Sequence, residues 1–448
     1  MLATLMIITF LFFFYITRIR TGTYNNPITY YLTFWLMWIL ISLLDPFDLW
    51  TVSDRAYLLI WINILCFAIG FILICKKKTF NLYENIKFNR RKPKALVILQ
   101  IILLIVIAYY YVKYNSLLEN LTINDARRIR FELGFMFNSY YEYVTYSYFI
   151  SSFLYLTIIR NIVRLVVKHK FGISGVITLI SIVLYAFTGL GRFIIFDTMI
   201  FFFIAIAFKR QVVSIEFNGI VLKNKIEKSI KIKYLFLGCI GLWGMMVITG
   251  RRMGKVVSGI SEFIEVLRYS IEQGVVYFIG PFRALDNFLN SGIHDSIGYT
   301  FGRSTFSGLD EIFCNFAILA GSNFTSANAK MALFTAEPIY IGAEQQFNAF
   351  YTGVMNFYLD GRIVGVIILA FLYGVVSAVI WNYYNKNPDV FSYSLLIYFT
   401  YTTIASEYRL SFISPSTWVI LFILVLSNHR FRLRTDRKKL MCLERIRN

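Results

Sequence analysis

Ala56–Tyr57–Leu58–Leu59–Ile60–Trp61–Ile62–Asn63–Ile64–Leu65–Cys66–Phe67–Ala68–Ile69–Gly70–Phe71–Ile72–Leu73–Ile74–Cys75 is a run of twenty residues without a charged side chain, and it ends against Lys76–Lys77–Lys78. As a helix rising 1.5 Å per residue it would be ~30 Å long, the thickness of the hydrocarbon core of a bilayer. Lipid offers the backbone no hydrogen-bonding partner, so only helices and closed barrels span it, and this run has the length of a helix.

Working outward, similar segments lie near 1–17, 28–44, 95–113, 139–159, 173–189, 193–208, 234–249, 363–381, 390–405 and 414–427, about eleven in all. The expected fold class is all-α, a polytopic membrane bundle of about 11 transmembrane helices. Of the 448 residues 58% are hydrophobic and only 16% charged, whereas a soluble chain carries roughly a quarter of its residues as charges. The 18% aromatic content suits lipid-facing helices with interfacial belts. The first segment has no basic run before it and leads straight into Arg18 and Arg20, which reads as a reverse-oriented anchor rather than a cleaved signal peptide.

The net charge of +20 would suit nucleic acid, but the basic clusters sit directly at the ends of apolar segments, so a nucleic-acid partner is excluded and the lipid bilayer is the expected one. With the N-terminus outside, the inner loops are 18–27, 76–94, 160–172, 209–233, 382–389 and 428–448. They hold 30 of the 45 Lys and Arg residues and 6 of the 25 acidic ones, the bias expected of cytoplasmic loops. Arg90–Arg91–Lys92 and the tail from Arg430 to Arg447 are thus topology signals, and the C-terminus is expected in the cytoplasm. The chain divides into 1–250 with eight helices, a large outer loop over 251–358, and 359–448 with three helices and the basic tail.

Of five cysteines only Cys314 falls in that loop, so no disulfide forms within it, and Cys66 and Cys239 read as packing residues inside spans. His294 is the one outer histidine, which with no Cys or His partner at matched spacing makes no zinc site.

A loop over 251–358 is far too long for a simple connection. Ile260, Phe263, Ile264, Leu267 and Ile271 recur at helical spacing, with Glu262, Glu265, Arg268 and Glu272 largely on the other side. This predicts an amphipathic helix along the membrane surface or against the bundle. Tyr277, Phe278, Tyr299 and Tyr351 would suit stacking on sugar rings or interfacial anchoring.

Arginine on the outer side works against the positive-inside bias, so each one needs a reason. Arg192 lies in the turn Gly189–Leu190–Gly191–Arg192, Arg251 and Arg252 follow the end of a span, Arg127, Arg128 and Arg130 cluster in a smaller loop, and Arg409 sits in the last outer turn. Either they snorkel and pair with carboxylates, or their guanidinium forks converge on an anion, of which a phosphate or pyrophosphate fits best. Asp197, a few residues inside its span, is a functional candidate by position or a structural partner of a nearby arginine.

Taken in order, the Gly-Arg turn, the Gly250–Arg251–Arg252 opening of the loop, its closing stretch Gln346–Phe347–Asn348–Ala349–Phe350–Tyr351, the following Asp360–Gly361–Arg362 and the late outer Arg409 resemble the bacterial oligosaccharide repeat-unit polymerases, the Wzy-type O-antigen and capsule polymerases. The resemblance implies a fold like that of the C-type membrane glycosyltransferases, with the large loop in the periplasm of a bacterial inner membrane. It implies an undecaprenyl-pyrophosphate-linked oligosaccharide as substrate and a chain-length regulator as a further partner. A donor already activated by pyrophosphate needs no nucleotide sugar, and neither cofactor nor metal is expected. The anion contacts it suggests are Arg192, Arg251, Arg252 and Arg409, with Arg127, Arg130, Arg303, Asn348 and Tyr351 on the substrate. Glu344, Asp310, Glu311, Asp360 and His294 are candidate bases.

The nearest rival is the O-antigen ligase, which typically carries a histidine beside the loop-closing Asn; here Phe347 precedes Asn348. A lipid-linked oligosaccharide flippase, a transporter of two related halves, would lack one dominant loop. The orientation is directly testable. In a cysteine-free background, cysteines at Ser291 and Ser322 are expected to react with an impermeant thiol reagent on intact cells, and one at Ser214 only after lysis; the reverse pattern inverts the topology.

Overall fold

The computed structural model describes residues 2–77, 94–119, 121, 125–126, 129, 134–168, 172–188, 191–213, 241–253, 260–347 and 350–426. It is a helical bundle: α1 (Leu2–Thr21), α2 (Pro27–Ser42), α3 (Asp54–Ile74) and α4 (Lys94–Leu118) come first. Then α5 runs from Tyr140 to Lys168 through a π-helical turn at Thr145–Ile150, followed by α6 (Ile173–Phe187), α7 (Phe193–Val213) and α8 (241–252). The region 260–358 contains α9 (Ile260–Asn290), α10 (Ile293–Ile297), α11 (Ser307–Leu319), α12 (Ala327–Thr335) and a hairpin of β1 (Ile339–Tyr340) and β2 (Gln346–Phe347). The chain ends in α13 (Gly353–Lys386), α14 (Val390–Ala405) and α15 (Pro415–Leu426).

Among the described residues five helices are long and apolar enough to cross a membrane: Thr4–Thr21, Asp54–Ile74, Leu96–Leu118, Tyr140–Val167 and Gly353–Lys386. Five shorter apolar helices accompany them, at Pro27–Ser42, Ile173–Phe187, Phe193–Phe208, Val390–Ala405 and Pro415–Leu426. Helix ends follow local chemistry. Asn26, Ser53 and Asp389 accept hydrogen bonds from the free amides of Thr29, Ala56 and Ser392, and Ser392 closes a capping box on Asp389. Apolar residues of α4 such as Ile98, Ile102, Ile105 and Val112 are exposed, as a lipid-facing stripe is, whereas its Gln100 is buried and donates to Thr178 of α6 (3.3 Å). The apolar segment expected over 139–159 extends to Lys168, so Arg160 and Arg164 lie on the helix itself rather than in a loop.

The closest helix pair is α3 with α13. A Cβ on Gly70 would stand 2.2 Å from the Phe371 carbonyl oxygen, and one on Gly374 would stand 2.0 Å from that of Phe67. The two backbones touch because neither carries a side chain there, which in lipid is what dispersion-driven association requires. At the far end Asn382 takes the Lys76 amide (2.8 Å) and donates to the Ile74 carbonyl (2.8 Å), so the pair runs parallel. At its other end α13 breaks: Gly361 (φ −163°, ψ 24°) and Arg362 (φ 54°, ψ −139°) leave the helical region. Residues 353–360 are therefore a separate turn of helix, wholly buried, projecting from the bundle.

That projecting piece anchors a cap built from 260–358. Only part of α9 follows the expected amphipathic pattern: Ile260, Ile264 and Ile271 are exposed, while Val276 to Leu289 pack on α2 and α3. There Phe282 stacks on Trp35 (6.0 Å), Arg283 pairs with Asp45 (2.8 Å) and Asp286 accepts from the Ser53 amide (3.1 Å). The Phe347 ring of the hairpin lies over Gly280, and Gly308 of α11 lies against the backbone of Ser414 and Pro415. Overpacking at the α3–α13 crossing should cost about 1–3 kcal/mol. Gly374→Ala is accordingly expected to lower the thermal unfolding midpoint in detergent, while Gly274→Ala, whose Cβ meets nothing within 4 Å, should not.

Candidate functional site

At the capped end of the bundle the first turn of α7 gathers side chains from five segments. The Arg192 carbonyl accepts from the amides of Ile195 (3.2 Å) and Phe196 (3.1 Å), so this residue caps α7 and its charge adds to the positive end of the helix dipole. Its guanidinium donates to Thr249 Oγ1 (2.9 Å), whose own proton goes to the Met245 carbonyl (2.8 Å). Helix α8 can deliver Thr249 there because Gly241 and Gly244 let it lie against Met199 and Ile195 of α7. Two residues beyond Thr249, Arg251 lies over the Phe187 ring (5.1 Å) at the end of α6, and Arg252 is half-buried beside it.

Aromatic rings join these charges to Arg409. Arg192 lies over Tyr277 of α9 (5.7 Å) and Arg409 over Phe350 (5.6 Å). Between them Phe193 meets Tyr277 (5.6 Å), Phe350 (5.2 Å) and Tyr408 (6.4 Å). Phe278 closes the wall on Tyr408 (5.3 Å). One turn further along α7, buried Asp197 accepts from the Tyr155 hydroxyl through Oδ2 (2.5 Å), while its Oδ1 has no hydrogen-bond partner. The Tyr401 hydroxyl and the Arg409 charge also bear on this carboxylate. Beside Tyr408, Glu407 is fully buried with neither oxygen hydrogen-bonded, and burial pushes its carboxyl well above the ordinary range.

Six of the described arginines fall into two groups. Arg283, Arg303 and Arg362 each pair with a carboxylate. Arg192, Arg251 and Arg409 pair with none among the described residues, and each remains at least partly exposed. Guanidinium groups backed by aromatic rings, with free N–H donors and a helix N-terminus between them, can take an anion with several oxygens.

The structure brings Arg192 and Arg409 to one aromatic cluster with Tyr277, Phe278 and Asp197, and places Arg251 over Phe187, two residues beyond the Thr249 that holds Arg192. It places Arg303 elsewhere, bound to Asp310 (2.7 Å) and the Thr325 carbonyl (2.8 Å); the Asp310 bond raises its pKa. Glu344 is exposed in the turn of the hairpin, and Tyr351 packs on Phe288 (6.2 Å), where burial raises its phenol. Arg127, Arg128, Arg130 and Asn348 lie outside the described residues. The other candidate bases are engaged: Asp310 also takes the Ala327 amide, Glu311 the Tyr148 hydroxyl and Asn328, Asp360 three loop donors, and His294 faces the Phe288 carbonyl. Phe193, Thr249, Phe350 and Tyr408 were not expected as lining, since nothing in their types sets them apart from other apolar or hydroxyl residues. No group of three or more His, Cys, Asp or Glu able to hold a metal occurs among the described residues.

No family model matches the chain, and no curated protein or solved structure matches it either. If the arginines form an anion site, its affinity for inorganic pyrophosphate should depend on bidentate geometry and not on charge alone. Titration calorimetry on the purified protein is expected to show binding weakened by roughly tenfold or more in Arg192→Lys and Arg409→Lys, the loss of one charge-assisted contact of about 1.5–3 kcal/mol. Arg303→Lys should bind as the wild type does.

Proposed function

We propose that this chain is a membrane glycosyltransferase, a polymerase that joins oligosaccharide repeat units carried on undecaprenyl pyrophosphate into O-antigen or capsular polysaccharide. In this reading the bundle has eleven spans, the cap lies on the periplasmic face of the inner membrane, and the arginine chamber opens there. One observation carries it: Arg192 and Arg409, both without a carboxylate partner among the described residues, lie over rings of one aromatic cluster at a helix N-terminus, and Arg251 follows on the helix that supplies Thr249 to Arg192. The ordered set of Gly-Arg, Gly-Arg-Arg and late Arg segments supports the same reading.

In the reaction a hydroxyl oxygen of one lipid-linked unit attacks the anomeric carbon of the sugar at the pyrophosphate end of another chain. The bond from that carbon to the pyrophosphate oxygen breaks, and its electron pair leaves with undecaprenyl pyrophosphate. Arg192, Arg251 and Arg409 meet the charge that grows on this leaving group, so they stabilise the transition state more than the ground state. The aromatic rings shield one side of Arg192 and of Arg409 from water, which strengthens their contacts with the anion. The proton of the attacking hydroxyl needs an acceptor, and Asp197 is the carboxylate at this site, with one oxygen held by Tyr155 and the other unpartnered.

The test is purified protein given lipid-pyrophosphate-linked repeat units as the only substrate. A ladder of products is expected without nucleotide sugar or ATP. Asp197→Asn should lower the rate roughly a hundred- to ten-thousandfold, the range of a general base, and Arg192→Ala or Arg409→Ala roughly ten- to a hundredfold. Transfer of preformed chains to a lipid acceptor without extension of single units would make the protein a ligase, and translocation of units without any new glycosidic bond would make it a flippase.

A further inference from the structure

Away from the arginine chamber, two residues other than glycine hold left-handed backbone next to one another, Phe301 (φ 50°) and Arg362 (φ 54°). Arg362 stands at the break of α13 with its guanidinium over Tyr299 (4.8 Å) and Tyr358 (5.4 Å), hydrogen-bonded to the His294 carbonyl (2.8 Å) and to Asp295 (3.2 Å). Tyr299 lies almost parallel to Phe301, with centroids 5.8 Å apart and planes at 24°. Cation and two rings thus form a stack whose outer member, Phe301, is 84% exposed, with Tyr299 56% exposed.

This loop is not loose. Asp360 accepts from Thr300 Oγ1 (2.5 Å) and from the amides of Ser304 (3.0 Å) and Thr305 (2.9 Å), and the Thr300 amide donates to the Leu359 carbonyl (3.1 Å). A buried carboxylate therefore pins both sides of Phe301. The strained conformation persists only because its surroundings over-determine it, and Phe301 recovers none of that cost by burial. An exposed aromatic pair held in one orientation is pre-organised for something that docks on it.

We infer that Tyr299 and Phe301 form a platform on which a pyranose ring of the glycan stacks its apolar C–H face, with the Asp295 carboxylate, 75% exposed, positioned for the hydroxyls at the ring edge. The identity of that glycan as the growing chain rests on the polymerase reading. Contact with lipid tails is non-directional and requires no strained backbone, and an exposed carboxylate at its edge opposes insertion into hydrocarbon. The helix 353–360 connects the two sites: Phe350, which Arg409 overlies, precedes it, and Arg362 follows it about 12 Å along. A chain bound in the chamber reaches the platform within a few sugar rings, so the platform retains the polymer between additions.

The test uses the full-length protein in nanodiscs. Phe301→Gly removes the ring and suits the left-handed backbone, so its unfolding midpoint should stay at or above that of the wild type. Its product ladder, made from lipid-pyrophosphate-linked repeat units, is expected to shorten roughly three- to tenfold in mean length, the size of one aromatic contact. Phe301→Trp should restore length. A second readout needs no turnover: saturation-transfer NMR with the cell's own released polysaccharide should show contact in the wild type that Phe301→Gly loses. A ladder and an NMR contact unchanged in Phe301→Gly would overturn the platform and leave the pair as a membrane-interface anchor. No ladder from the wild type would count against the polymerase instead, with the NMR contact still deciding the platform.

Discussion

The carbonyl oxygens of Phe67 and Phe371 each rest on a glycine of the facing helix, Gly374 and Gly70, and much of the bundle takes its position from that reciprocal contact. Within lipid two apolar helices gain nothing by hiding from water, so close backbone approach is the available source of affinity. Once α3 and α13 touch there and are tied again by Asn382, the height of the break at Gly361 relative to α3 is determined. The short helix 353–360 above the break then fixes its neighbours. Its first amide donates to the Ser406 carbonyl (2.8 Å), holding the turn that carries Arg409, and its last carboxylate holds the 300–305 loop.

From that frame the two groups of arginines follow. Those that build the cap are neutralised where they stand: buried Arg283 pairs with Asp45, since an unpaired charge there would be too costly, and part-exposed Arg303 pairs with Asp310. Arg192, Arg251 and Arg409 have no salt-bridge partner among the described residues and are backed by rings, as the proposed anion contacts require. The Arg409 charge bears on Asp197, but that carboxylate accepts its hydrogen bond from the Tyr155 hydroxyl, so it tempers the field without closing the fork.

Much of this was legible in the sequence, and for a physical reason: a bilayer filters composition, so runs such as Ala56–Cys75 declare a membrane helix from a single chain. The outer arginines drew notice too, since basic charge beside the large loop runs against the bias expected there. What charge alone could not do was separate Arg409 from Arg303, because the difference is a carboxylate seven residues away on a neighbouring turn. Nor could periodicity follow α9 past Ile271, where an exposed apolar stripe gives way to a helix buried on many sides, interrupted by Gly280 and Pro281 yet continuous to Asn290. Phe193, Phe350 and Tyr408 meet only because three distant turns of chain meet, and no local pattern records that.

The break at Gly361–Arg362 also bears on the bilayer as a mechanical medium. A straight helix of 34 residues would be ~51 Å long, far more than the hydrocarbon it crosses, and any tilt adopted to relieve that mismatch would swing its projecting end. With the rod interrupted, the lower part stays parallel to α3 through Gly70, Gly374 and Asn382 while 353–360 turns away into the cap. The piece 353–360 therefore adds no length to the rod that the hydrocarbon has to accommodate.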